Sequence, residues 1–427
     1  MGKASLIYVV GLSVMLGYAL LNVSSTSSQS MDNYLFYYGR SMAHNLALTG
    51  ANIGTQLLLR DPTYDTDLID QQYAGGTFSV YFDKSGGDSC LVNSYSEIEF
   101  GGVELRDTVI GCLKFTSLAK YGWFTEAERV GYHGSPFFGD NDWKITGDSI
   151  FGPAHTNYKF NLGGAPYFND KVTATNAPTT MPLKGVQAPV FKSGYQWGIT
   201  VNRPTVSVDN VVADAQSGGM LFTGQDVALT FLDDRVAVKI PPSTGTLRND
   251  TVFISSLAPN GIIAVKNGDL RIKGEYAGKV TVAAHNDGAA TTKGNVWLDG
   301  TGITAQTDPQ GNTSSPDMLG IVSNNNVYVS KDLTRTTSTV YKIQAAVYCQ
   351  NGELTAEHYW DIPLSGRVEV VGGVNQYTAG SMGAYNPGHG LWYGFYYTVR
   401  YDTRLASVAP PGYPVAYKYE LVSWWEN

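Results

Sequence analysis

Six histidines are spread along the chain, and no HExxH, GxSxG or phosphate-loop pattern accompanies them. His155 lies in GPAHTN between two expected strands, where a ring nitrogen can bond the neighbouring segment. His44 sits in a helical stretch and reads as a packing or solvated residue. Asp140 and Asp142, in FGDNDW, with Asp148 close behind, could offer oxygen ligands to calcium. Their spacing fits neither an EF-hand nor a glycine-rich calcium repeat, and an Asx-turn uses the same residues. No other cofactor is expected. Cys90, Cys112 and Cys349 are the only cysteines, and no CxxC pair points to zinc. Cys90 and Cys112 fall in one strand-rich region and could be bridged in an exported protein, while Cys349, in VYKIQAAVYC, reads as a small buried hydrophobe. Lys266, Asp269, Arg271, Lys273 and Glu275 follow one another along a strand pair. Parallel β-helix enzymes acting on acidic polysaccharides carry such groups, but alternating charge is also how a solvated face reads. No acid/base pair of carboxylates can be chosen from order alone. The chain therefore reads as a non-enzyme, with a membrane-anchored polysaccharide-binding or polysaccharide-degrading protein as the alternative.

What would position these residues is mostly β-structure. The 427 residues include 48 Gly and 28 Tyr, only 15% are charged, and the formal net charge is −8. A turn-rich, aromatic, charge-poor chain belongs to an extended all-β protein, and an acidic balance without a basic cluster gives no reason to expect nucleic acid. Residues 260–373 break into short pieces such as DLRIKG, KVTVAAHN, NVWLDG and NVYVSK. Each is a period-two apolar run closed by Gly, Asn or Asp. Runs this short bury a face only when stacked coil on coil, as in a β-solenoid, with an antiparallel sandwich as the alternative. The expected fold is mainly β, with a long amino-terminal helix and a small antiparallel sheet ahead of a solenoid. The expected divisions are 1–60 (helix), 61–120 (sheet), 121–250 (a transition with a Pro-rich excursion), 251–376 (solenoid) and 377–427 (an aromatic-rich cap). ALTFLDDRVAVKI at 228–240 predicts a hairpin turning at Asp233 and Asp234. The aromatic tail, with Tyr393, Phe395, Tyr396, Tyr397, Tyr401, Trp424 and Trp425, would cap the last coil or bind surface glycans.

Residues 6–23 are apolar apart from Ser13 and Asn22, long enough to span a bilayer, with Lys3 ahead of them. A cleaved secretory signal is the rival reading, but no small-x-small site closes the run. The helical spacing continues without proline as far as Asp61 and Pro62, so one long helix is expected, apolar first and amphipathic second. Leu6, Val10, Val14 and Leu21 would lie on its apolar half, and Tyr34, Met42, Leu46 and Ile53 on the half facing the sheet or neighbouring subunits. The polar run SSTSSQS at 24–30 is the expected weak point.

A helix of this design followed by a small sheet resembles a type IV pilin or pseudopilin, and AHNLALTGAN at 43–52 is similar to the PilX-type minor pilin amino-terminal family. FGPAHTNYKFNLGGAPYFNDKV (151–172), PDMLGIVSNNNVYVS (316–330) and YDTRLASVAPPGYP (401–414) resemble an uncharacterised bacterial surface family in which such a head precedes a β-solenoid. The resemblance implies a subunit of a pilus-like or pseudopilus-like filament. Copies of itself or other pilin-like subunits would be partners through the helix, and the inner membrane would hold it before assembly. Pilins usually carry Gly before the processing point and Glu five residues into the mature helix. Gly2 could mark processing, but Ser5 and Leu6 stand where that Glu would be sought, as in tip-type pseudopilins.

Overall fold

The computed structural model describes residues 2–85, 89–128, 142–181, 188–201, 203, 208–240, 248–288, 292–331, 337–386 and 390–426. They form two units: Met1–Thr116 with Tyr417–Asn427, and Ser117–Ala416. Asp140 and the histidines at 133 and 389 lie outside the described residues.

The first unit is built on helix α1, Gly2–Arg60. It stays helical through 24–30, so the serine-rich stretch expected to be its weak point does not unwind. At the carboxyl end Asp61 Oδ1 accepts the Thr63 amide at 2.9 Å, an Asx-turn around Pro62 that stops the helix. Four strands follow: β1 (Leu68–Tyr73), β2 (Gly76–Asp83), β3 (Ser89–Phe100) and β4 (Val103–Ser117). They pair antiparallel in sequence order. Alternation along β2 and β3 sends Phe78, Val80, Cys90, Val92 and Ile98 to the buried face. The second half of α1 lies on that face through small residues: Ala43, Ala47, Gly50, Ala51 and Gly54, with Leu46 and Leu58 between them. A Cβ at Gly50 would sit 2.4 Å from Ser94 Oγ, and one at Gly54 would sit 2.7 Å from Val92 Cγ1, so the helix backbone rests directly on the sheet.

One expectation fails here. The last strand, Val415–Glu426, is the fifth strand of this sheet, beside β4. Trp424 packs with Ala47, Ala51 and Val109, within the first unit's own core.

The second unit, the body, is a stack of parallel ladders. Met220–Thr223, Ile262–Lys266, Lys279–His285, Met318–Ser323, Val340–Cys349 and Arg367–Thr378 pair in that order, each parallel to the next. Ile263, Val282, Ile321, Val347 and Val374 occupy one inward position, strand after strand, and all lie in the main core. Where backbones meet, a side chain does not fit: a Cβ at Gly372, which has φ +154°, would stand 1.9 Å from the Ala345 carbonyl oxygen. Antiparallel pairing is local. The hairpin of Val227–Asp233 and Arg235–Ile240 turns with Asp233 at φ 57°, and Arg248–Phe253 extends it at one end of the stack.

The stacking order is not the sequence order. Trp123–Ala127 pairs on the far side of Arg367–Thr378, followed by Ala154–Thr156, Val172–Ala174 and Tyr195–Trp197. Residues 121–250 are therefore not a lead-in to the coils after 251: their first part continues the stack beyond 378. Between Trp197 and Met220 the chain must return along the height of the stack. Helix α2 (Val208–Gly218) lies on this return, burying Val208, Val211, Val212 and Ala215 against the coils. Arg203, also on it, donates to the Cys349 and Gln350 carbonyl oxygens at 2.6 and 2.8 Å.

Candidate functional site

The largest unexplained feature of the described residues is the first half of α1. Leu6, Val10, Val14 and Leu21 are 56–71% exposed, as are apolar neighbours on every side of the helix. None of the most apolar part of the helix is buried. At 1.5 Å per residue, 6–23 spans about 27 Å, close to the thickness of a bilayer's hydrocarbon core. The serine hydroxyl in mid-run is satisfied internally: Ser13 Oγ donates to the Val9 carbonyl oxygen at 2.8 Å. In the second half, Leu46 is buried on the sheet and Met42 is half-buried beside it. Tyr34 and Ile53, by contrast, are 63% and 40% exposed and turn away from the sheet. Exposed apolar surface thus runs over the whole first half and persists along one side of the second.

The residues considered for chemistry are otherwise engaged. Asp142 is in a buried ion pair with Lys144 and accepts Ser381 Oγ at 3.1 Å, so it is committed to a cation of the chain itself. Among the described residues no group of three or more His, Cys, Asp or Glu is placed to hold a metal. His155 is in a strand, not a turn. Its Nδ1 is 2.7 Å from Thr173 Oγ1 on the adjacent coil, and its Nε2 is 2.8 Å from Asn157 Oδ1. His44 lies 3.1 Å from Asp107 Oδ2, linking helix to sheet. Lys266 pairs with Asp287, Asp269 with Lys293, and Arg271 with Asp299, so three of the five residues in this charged row are spent on separate pairs.

Around Lys144 the buried polar groups form a cluster. Its ammonium is 3.9 Å from Glu128 Oε2 and 4.1 Å from the Trp123 ring centre. Glu128 also accepts Trp123 Nε1 at 3.2 Å, and Asp148 accepts the amides of Ile145 and Tyr397, both at 2.8 Å. Burial pushes Glu128 up to about 7 and Asp148 up to about 6. A carboxyl raised this way holds its proton in the folded chain at a pH where the unfolded chain has lost it. Its contribution to stability therefore falls as the pH rises from about 4 to about 7. His155, held below its ordinary value by burial, acts in the opposite sense, losing stability as the pH falls below about 6.5. Comparing a variant with its parent separates the two. Asp148→Asn should gain on the parent by on the order of 1 kcal/mol between about pH 5 and about pH 7.5, read from denaturant melts. A difference that does not change with pH would contradict the assignment.

The Cys90–Cys112 bridge is not formed. In the ladder Cys90 faces Leu113 and Cys112 faces Leu91, one position out of register. Neighbouring positions on a strand point to opposite faces, so the two sulfurs sit on opposite sides of the sheet. All three cysteines are free. Cys90 and Cys349 are fully buried, and burial pushes the Cys90 thiol up to about 11, whereas Cys112 is half-exposed. A thiol reagent should label Cys112 alone in the folded chain and all three after denaturation, counted by intact mass; native labelling of Cys90 would contradict this.

Sequence reading also missed an aromatic cleft in the body. Trp297, Tyr328, Thr355, Glu357, His358 and Trp360 line about 110 Å³ of space. They come from separate short pieces, so nothing in their order joins them. Of the expected aromatic tail, Phe395 and Tyr397 are in the body's core, and Trp425 is exposed on the last strand of the first unit.

No family model and no curated protein matches the chain. The crystal structure of the competence-associated pilin ComZ from Thermus thermophilus is similar over 90% of this chain and 97% of that one, at 12% identity and a TM-score of 0.36. A likeness this loose leaves function to be argued from the chain's own residues.

Proposed function

We propose that this protein is a membrane-inserted, pilin-like structural subunit whose α1 packs in the core of a surface filament while the body, read as a β-solenoid, stands outside as a spacer or adhesive head. The observation that carries this is the uninterrupted helix, exposed and apolar over 6–23 and bedded on its own sheet from Ala43 onward. A helix apolar all round is stable only in lipid or among other helices. Held in the inner membrane with the body in the periplasm, the same surface would pass from acyl chains to neighbouring copies on assembly, so little apolar area meets water at either stage. Tyr34 and Ile53 extend the contact surface into the second half. A role in catalysis adds nothing to this reading. The test is recovery: filaments sheared from cells should contain this chain with residues 6–23 intact, and a chain found only in the membrane fraction or released without the helix would refute assembly.

A further inference from the structure

We infer that the body carries a binding site for a neutral pyranose residue of a glycan, in the cleft between Trp297 and Trp360. This does not depend on what the helix does.

The cleft arises from coil stacking. Val296, Leu298, Val327, Val329, Leu354 and Ala356 are in the core. Trp297, Tyr328 and Thr355 alternate with them, in register on successive coils, and so project from the other face. Such positions are ordinarily exposed, yet Tyr328 and Thr355 are 8% and 4% exposed. The segment Glu357–Trp360 shares the cleft with them. Its second residue is strained: His358 has φ 48° and ψ 50°, a left-handed conformation that costs a non-glycine residue energy and is found at ligand clamps. There the imidazole stacks on the Trp360 indole at 5.3 Å and 20°. In the same cleft the Trp297 and Tyr328 rings lie 5.0 Å apart. Arg271, held by two 2.8 Å bonds to Asp299, approaches the Trp297 ring to 5.7 Å and steadies it.

The chemistry of the walls selects the ligand. Both indoles are half-exposed although one face of each is taken, by Tyr328 and by His358, and the surface left open is what the axial C–H groups of a pyranose would meet. Polar groups sit beside them. Glu357 can accept sugar hydroxyls, and the His358 ring is exposed; the Glu357 carboxylate also receives the Lys331 amide at 3.1 Å, which fixes it in place. Charge at the cleft is balanced and gives no preference for an anion: Arg271 is neutralised by Asp299, the Lys331 ammonium, 3.3 Å from His358 Nδ1, is offset by the Glu357 carboxylate in the same cleft, and the chain's net charge is −8. An apolar side chain would bring the Glu357 carboxylate no donor beyond the Lys331 amide it already accepts. By a measure in which one water needs about 10–15 Å³, the cleft takes several waters, the size of one ring and not of a run of them. All-equatorial β-linked sugars present the flattest faces, so a β-1,4-linked hexose end or branch is the expected occupant.

The experiment titrates the full chain with cellohexaose, following tryptophan emission and heat, with polygalacturonate as the acidic comparison. The expected result is saturable binding of cellohexaose at millimolar or lower concentration. Trp297→Ala and Trp360→Ala should each weaken it at least tenfold, and Glu357→Gln should weaken it severalfold. Should either tryptophan variant melt early, Glu357→Gln, which alters one oxygen, carries the test. No saturation by cellohexaose up to about 10 mM, undiminished binding in the variants, or saturation only by polygalacturonate would each overturn the site.

Discussion

Val14→Asp removes the chain from both membrane and filament while leaving the body folded. Val14 lies in the middle of the apolar run and is 66% exposed, so the substitution breaks no contact within the chain. What it changes is the helix's next environment. An aspartate at the centre of a spanning helix costs about 2.5–3.5 kcal/mol on insertion, roughly a hundredfold in partition. Among packed helices the cost recurs in every copy, because each buried carboxylate meets apolar neighbours. Membrane-bound and filament-bound chain should fall together on immunoblots, against an unchanged melting transition of the body. Val14→Leu should assemble as the parent does. Normal incorporation of the aspartate variant would count heavily against an assembly helix.

The second large effect lies where the helix meets its sheet, at Gly50→Leu. In open helix, replacing glycine stabilises by up to about 1 kcal/mol. Gly11 and Gly17, with nothing within 4 Å of an added Cβ, should follow that rule. At Gly50 the sign reverses, because the Cβ would meet Ser94 Oγ at 2.4 Å and Phe78 Cδ2 at 2.7 Å. Ser94 is wholly buried and cannot swing clear, so the helix must lift and uncover Phe78 and Val80. Such overpacking costs about 1–3 kcal/mol or more, and here two elements separate. The first unit should melt earlier, and Cys90 should become reactive to thiol reagents under conditions where Gly17→Leu leaves it silent. Equal stability of Gly50→Leu and Gly17→Leu would show that the helix does not sit on the sheet in this way.

Much of this was legible in the chain because it is written in local pattern. Proline's absence until Pro62 and the change from all-round to one-sided apolarity fixed the extent of α1, and Asp233 and Asp234 placed the hairpin at 228–240. The short runs after 260 announced strands too small to stand alone. Which strand lies on which is a different matter. Inward Val and Ile residues are interchangeable from coil to coil, so nothing local says that Trp123 stacks beyond Val374 and not before Met220. The last strand was misassigned for a related reason: Trp424 and Trp425 read as a cap wherever a cap is needed, and only long-range pairing sends them to the first sheet. Cys90 and Cys112 were close enough in sequence to suggest a bridge, but one step of register separates their faces. At Asp142 the order of residues did not tell that Lys144, two residues on, folds back to pair with it. The cleft was invisible because Trp297, Tyr328 and Trp360 converge only after stacking.

The central claim is that the exposed apolar half of α1 is a packing surface kept in the working molecule. Electron cryomicroscopy of filaments sheared from cells tests it most directly. The account predicts density for residues 6–23 near the filament axis, enclosed by the same helix from neighbouring copies, with the body at larger radius. Filaments without this chain, or with the chain present and residues 6–23 removed, would contradict it.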